Sequence, residues 1–276
     1  MNRLLNMMDN KQFDDKWKEA SGGAPFEERS VFVPFGDRPK TQRQFILHSE
    51  FEYISSLAKK HRVKEAIEIG CGRGTIALYL NKYLGVSVVA ADISDEAVNL
   101  ARENFSLHKG EGKVIMADAG HLPFPEATFD MTVSIGLLEH LEDYTSLIQE
   151  QYRVLKSGGI MVSLNIPKKN SIQVLNNIYR FFLNLLGFST FLKKDYFRNS
   201  DTPEMYSKIA KEAGFIEVET FYCNPFPLFT PIPKFCERIL VVLYRLIYGT
   251  RRLFMKYPFK GSQLLSQEHF LVGIKK

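Results

Sequence analysis

Apolar positions along the chain fall into two periods, and the alternation between them predicts the architecture. Ala66, Ile67 and Ile69 form a short apolar strand that runs into Gly70, Gly72 and Gly74, after which Thr75 to Tyr83 takes helical spacing. Val86 to Ala91 is a continuous apolar run of the parallel-strand type ending in Asp92, and Ser94 or Asp95 opens a helix over Glu96 to Phe105. Lys113 to Ala117, Met131 to Ile135 and Ile160 to Asn165 read as further strands, with a helix through Tyr152 and the turn Gly158-Gly159 before the last of them. Phe215 to Tyr222 alternates as F-I-E-V-E-T-F-Y, preceded by a helix over Pro203 to Ala213 and a stop at Gly214, and His269 to Ile274 is a final strand. Thr41 to His61 is a helix with Phe45, Phe51, Ile54, Leu57 and Ala58 at near-helical spacing, expected to pack on the sheet, with capping of a ligand as the alternative. Strands alternating with helices predict a doubly wound α/β fold. Residues 1–40 are a polar arm of loop and short helix, with a turn at Gly22 to Pro25 and a stop at Pro39; residues 41–276 form the main domain.

Two segments interrupt this rhythm, at 168–201 and 224–268. In the first, Ile172 to Phe188 has Gln173, Asn177, Arg180 and Asn184 on one helical face and Leu175, Ile178, Phe182, Leu185 and Leu186 on the other. The second opens on proline-aromatic alternation from Pro225 to Phe229, then follows helical spacing from Phe235 to Lys256. Lys234, Arg238, Arg245, Arg252 and Lys256 share a narrow sector, and Ile239, Leu240, Leu243, Leu246, Ile247, Leu253 and Phe254 fill much of the rest. A basic stripe beside a broad apolar face suits a helix lying in an anionic membrane interface, with Phe226 and Phe229 as an aromatic anchor. It suits equally a lid over a small-molecule site, with the basic stripe in water.

Composition narrows the class without naming it. A net charge of +5 on 276 residues is modest, and the residues between the basic positions of the second insertion are aliphatic rather than stacking aromatics, so no nucleic acid partner is expected. Cys71, Cys223 and Cys236 have neither zinc spacing nor a disulfide pattern. With no signal-peptide core and no apolar run of membrane-spanning length, a cytoplasmic location is expected, with membrane association left open. The histidines show no ligand-like spacing, so no metal is expected.

The chemistry concentrates at Glu68 to Gly74. A strand turning through glycines into a helix brings backbone N–H groups and a helix N-terminus close to a ligand. The dinucleotide fingerprint wants glycine at the first, third and sixth positions, and counting from Gly70 the sixth is Thr75. Glu68 before the turn suits a cation better than a pyrophosphate. Asp92, one strand on, can accept hydrogen bonds from both ribose hydroxyls of an adenosine; it can also assist the helix cap beside it.

The pattern E-x-G-x-G-x-G resembles the first motif of class I S-adenosylmethionine-dependent methyltransferases. The stretch A-D-A-G-H-L-P-F-P-E-A-T-F-D from Ala117, and Y-R-V-L-K-S-G-G from Tyr152, resemble later motifs of the small-molecule members, including the ubiquinone and menaquinone biosynthesis enzymes. The resemblance runs from Ala66 to Pro167. It implies a Rossmann-like, seven-stranded sheet whose last strand enters antiparallel beside the sixth, and S-adenosyl-L-methionine as cofactor. It implies that Glu68 lies near the cationic methionine end, that Gly70, Cys71, Gly72 and Gly74 border the cofactor, and that Asp92 and Ile93 face the ribose. Asp118 is then hydrogen-bonded to the adenine amino group, with Ala119 and Ile135 beside the ligand. Glu139 and His140 follow the fourth strand, where relatives face the acceptor, and His140 is the candidate base; both also suit the opening of a helix. The expected activity is methyl transfer to a small apolar or lipid-linked acceptor. A nicotinamide-dependent oxidoreductase and a membrane-associated, non-catalytic S-adenosylmethionine-binding protein are the alternatives.

Overall fold

The computed structural model describes residues 10–21, 30–188, 192, 196–255 and 258–276. The expected turn at Gly22 to Pro25 and Lys256 lie outside these. Helix α1 (Asn10–Ser21) and α2 (Gln42–Lys60) precede β1 (Glu65–Ile69), α3 (Thr75–Leu84), β2 (Ser87–Asp92), α4 (Asp95–Leu107), β3 (Lys113–Met116) and β4 (Phe129–Ile135). After a single 3-10 turn at Leu138–His140 come α5 (Thr145–Val154), β5 (Leu155–Asn165), α6 (Gln173–Leu185), α7 (Pro203–Glu212), β6 (Phe215–Cys223), α8 (Lys234–Phe254) and β7 (Glu268–Lys275).

The seven strands take the order β3-β2-β1-β4-β5-β7-β6. The pairs from β3 to β5 are parallel, and β7 enters antiparallel to both β5 and β6. Consecutive strand residues point to opposite faces, so Phe270 and Leu271 divide two apolar layers. Phe270 packs with Phe51, Ile54, Tyr79 and Val162 on one face, and Leu271 with Ile148, Tyr206 and Met161 on the other. The expected packing of the Thr41 helix follows: Thr41 and Gln44 form a reciprocal capping box, and Phe51, Ile54 and Leu57 are buried in the first layer.

Two elements differ from the periodicity reading. The second half of the arm is part of the domain, since Phe32 and Val33 are core residues and the Val33 N–H donates to the Tyr79 hydroxyl at 2.8 Å. Glu139 and His140 do not open the following helix. They sit in the separate 3-10 turn, because Asp143 Oδ1 accepts the Thr145 N–H at 2.9 Å and starts α5 only there.

Candidate active site

The strand ends of β1, β2 and β4 converge on a cavity of about 1010 Å³. Its wall includes Glu68, Gly70, Cys71, Gly72, Asp92, Ile93, Asp118, Ala119, Ile135, Glu139 and His140, which brings together every site residue expected from sequence except Gly74. Gly72 has a φ of +52°, and a Cβ on it would lie 2.3 Å from the ring of Trp17. A Cβ on Gly70 would meet Leu137 at 2.8 Å. Gly74 lies off the cavity wall. It is the N-cap of α3, and a Cβ there would press on Phe105 and Ala101 of α4 at 3.1 and 3.2 Å, so its bareness serves helix packing.

Two buried carboxyls hold this turn. Asp92 accepts the N–H of Gly72 at 2.8 Å through Oδ2 and that of Ser94 at 3.0 Å through Oδ1. Ser94 in turn caps α4, so the cap-assisting alternative for Asp92 is realised, and the same carboxylate still borders the cavity. Glu68 Oε2 accepts the Ala77 N–H at 2.7 Å, closing one of the open donors at the start of α3. Burial pushes the Glu68 carboxyl up to about 8, opposed by the N–H groups of Ala77 and Ile76. Burial likewise raises Asp92 and, with the two acids nearby, the Cys71 thiol. Asp118 forms a local turn, accepting the Gly120 N–H at 2.8 Å through Oδ1, and it too borders the cavity.

At the end of β4, Glu139 is 1% exposed and its Oε2 has no hydrogen-bond partner among the described residues. Burial lifts this carboxyl to about 7. Burial and the neighbouring Lys16 together press His140 down to about 3. His140 Nδ1 lies 2.7 Å from the Phe197 carbonyl and so carries the proton, which leaves the Nε2 lone pair facing Lys16 Nζ at 3.1 Å.

Sequence reasoning missed α1. This helix lies across the glycine turn: Phe13 meets the edge of His140, Lys16 bonds it, and Trp17 covers Gly72, with the Arg73 guanidinium 5.5 Å from the Trp17 ring. Phe13 and Trp17, four apart in an otherwise polar stretch, were the signal available. Lys169, and Glu268 at the start of β7, are also unforeseen in the wall, and α2 both packs on the sheet and borders the cavity through Glu50. On α6, three of the four polar residues recognised in the sequence, Gln173, Asn177 and Arg180, line the cavity, joined by Asn176, while Asn184 lies off its wall.

Residues 67–163 match the family model described as a methyltransferase domain. Ajmaline N-methyltransferase of Rauvolfia serpentina is 32% identical over 116 residues, covering 41% of this chain and 39% of that protein. Demethylmenaquinone methyltransferase of Listeria monocytogenes is 28% identical over 173 residues, covering 59% of this chain and 71% of that one. The chain thus spans well under two thirds of the first of these relatives. Among solved structures, phosphoethanolamine N-methyltransferase 2 of Haemonchus contortus in complex with S-adenosyl-L-methionine has a TM-score of 0.52 at 18% identity, covering 92% of this chain and 60% of that one, a likeness of fold. Methyltransferases in all three comparisons weigh against the nicotinamide alternative.

Proposed function

We propose that the chain, whose residues 67–163 match a methyltransferase domain, is a class I S-adenosylmethionine-dependent methyltransferase that transfers the cofactor's methyl group to the polar end of a lipid-linked acceptor. The observation that carries this reading is the continuity of one cavity. The glycine turn with Glu68, Asp92 and Asp118 makes one wall, and Glu139, His140 and the polar face of α6 make another.

The residues fit the cofactor. Gly70 and Gly72 bring bare backbone to the cavity wall, where a Cβ would press on Leu137 and Trp17, and two buried acids suit a ligand with ribose hydroxyls and a positive charge. Bound there, S-adenosylmethionine supplies an electrophilic methyl group, so the chain contributes chiefly alignment of the acceptor. Glu139, at the end of β4, combines a spare buried oxygen with a proton affinity near neutrality, which suits it to take a proton from an acceptor hydroxyl or amine. His140, neutral and far less basic, is suited to accept a hydrogen bond and orient, not to hold a proton.

The relative that acts on demethylmenaquinone supports an acceptor with an apolar tail. Gln173, Asn177 and Arg180 on the cavity side of α6 support a polar group at the reacting end. The test is calorimetry with S-adenosylhomocysteine and NADH, followed by transfer of labelled methyl groups into fractionated lipid extract. Tight binding of S-adenosylhomocysteine and label in a lipid fraction are expected. Preference for NADH ends the cofactor assignment, and label confined to water-soluble products ends the acceptor assignment.

A further inference from the structure

The reading of the site leaves one large feature unused, the outer surface of the two insertion helices. On α6, the polar side chains turn to the cavity and the apolar ones turn out: Ile178 is 48% exposed, Phe182 54%, Leu185 71% and Leu186 69%. On α8 only Val241 and Tyr244 are buried, packed with Phe45 and Phe226 below. The opposite side presents Ile239, Val242, Leu243, Leu246 and Leu253 to the exterior, Leu246 at 63%. The two helices adjoin, since Tyr179 of α6 donates to the Pro231 carbonyl just before α8 and Asn176 accepts the Thr230 N–H. An ordinary lid buries its apolar face and wets its polar one. On α6 the sense is reversed, and α8, which buries one apolar side, leaves a second apolar side exposed.

Charge decides what covers this surface. Lys234, Arg238 and Arg245 border the exposed apolar sector of α8, while α6 and α8 together contain a single acid, Glu237. Glu237 turns inward and accepts the Gln42 N–H. Arg252 is set apart from that border by its pairing with Glu52 at 3.5 Å, and Phe226 is buried rather than an outer anchor. No helix among the described residues is long and apolar enough to cross a membrane. An apolar face edged by cations and free of anions is complementary to the interface of an anionic bilayer. We propose that α6 and α8 together seat the protein in the plane of an anionic lipid bilayer, with α6 as the partition between the lipid and the cavity. The seat itself stands apart from the methyltransferase reading. Its consequence, that a bilayer-anchored acceptor reaches the cavity past α6, rests on that reading.

Flotation of the full chain with phosphatidylglycerol/phosphatidylcholine vesicles and with pure phosphatidylcholine vesicles tests the seat. The parent protein is expected to float with the anionic vesicles and far less with the neutral ones. Arg238→Gln with Arg245→Gln is expected to lower the partition coefficient about 25-fold, at roughly fivefold per basic residue near an anionic surface. Leu185→Asp with Leu246→Asp is expected to abolish flotation. Both double variants should keep the parent's affinity for S-adenosylhomocysteine, which reports an intact fold. A parent that stays with the soluble fraction in both vesicle types overturns the proposal, as does undiminished flotation of the Leu185→Asp/Leu246→Asp variant. If the parent self-associates without lipid, ignores vesicles, and becomes monomeric in that variant, the face joins two copies of the chain and the membrane seat is wrong. A parent that floats yet binds neither S-adenosylmethionine nor S-adenosylhomocysteine leaves the seat standing and overturns the methyltransferase reading instead.

Discussion

Glu139 and His140 are adjacent residues on which the same burial acts in opposite directions. Desolvation disfavours the charged form of each, so the acid is lifted to about 7 and the imidazole driven to about 3. Of these two, only Glu139 titrates between pH 6 and 8. Turnover should therefore rise with pH through about 7 as the carboxylate forms. Glu139→Gln should cost about 10² to 10⁴ in turnover if the carboxylate serves as base, and His140→Ala should cost less, both with cofactor affinity nearly intact. Parental turnover and pH profile in Glu139→Gln discard the base role. Asp92 carries a separate expectation. Asp92→Ala should weaken S-adenosylhomocysteine binding by about 1.5 to 3 kcal/mol, the range for hydrogen bonds to a charged group. Because Asp92 also holds the N–H groups of Gly72 and Ser94, the variant should lose stability as well. Calorimetry giving the parent affinity removes Asp92 from the cofactor site.

Among the elements, α1 is joined to the site through few contacts. Ser94 donates to Asp14 at 2.5 Å, Lys16 bonds His140, and Trp17 lies on Gly72. Trp17 is the single tryptophan of the chain, so intrinsic tryptophan fluorescence reports this contact alone. Titration with S-adenosylhomocysteine should change the Trp17 emission with the same midpoint that calorimetry gives, and Trp17→Phe should abolish the signal while binding persists. An emission unchanged at saturating ligand shows that the cofactor does not meet α1 at Gly72. The glycines of the neighbouring turn divide by element in the same way. Gly72, in the cavity wall, faces the Trp17 ring of α1, and Gly74 faces the seam between α3 and α4.

For the molecule as a whole, Glu50 of α2 and Glu268 of β7 form a buried pair that ties the helical layer to the strand inserted last. Burial raises both carboxyls, and the mutual repulsion lifts Glu50 further. Protonation of one of the two carboxyls relieves that repulsion, and Asn224 donates to Glu268. An acid whose folded affinity for a proton exceeds its unfolded one contributes stability that is full below pH 4.5 and is lost as pH rises toward the raised value. Thermal unfolding should therefore occur at lower temperature as pH rises from 6 to 9, by on the order of 2 to 4 °C for each kcal/mol involved. Glu50→Gln, which keeps the hydrogen bond without the charge, should flatten that dependence. An equal slope in parent and variant places the pH dependence elsewhere.

Much of the scaffold was legible in the chain because its cause is local. Strand and helix periods, the capping residues Thr41 and Ser94, and the acids at successive strand ends are set within a few residues of each other, and parallel strands must carry their ligand at that edge. The antiparallel entry of β7 beside β6 was legible only through family resemblance, since 44 residues of insertion separate the two strands. What a face turns toward is not a local property. The periodicity of α6 and α8 separated polar from apolar sides, but which side met the cavity and which met the exterior depended on where the sheet and the loop at Thr230 and Pro231 hold those helices. The arm was equally opaque, because Trp17 and Lys16 acquire their meaning from Gly72 and His140, 55 and 124 residues away. Burial, and with it the opposite fates of Glu139 and His140, is a sum over the whole packed molecule, so only the tertiary structure decided it.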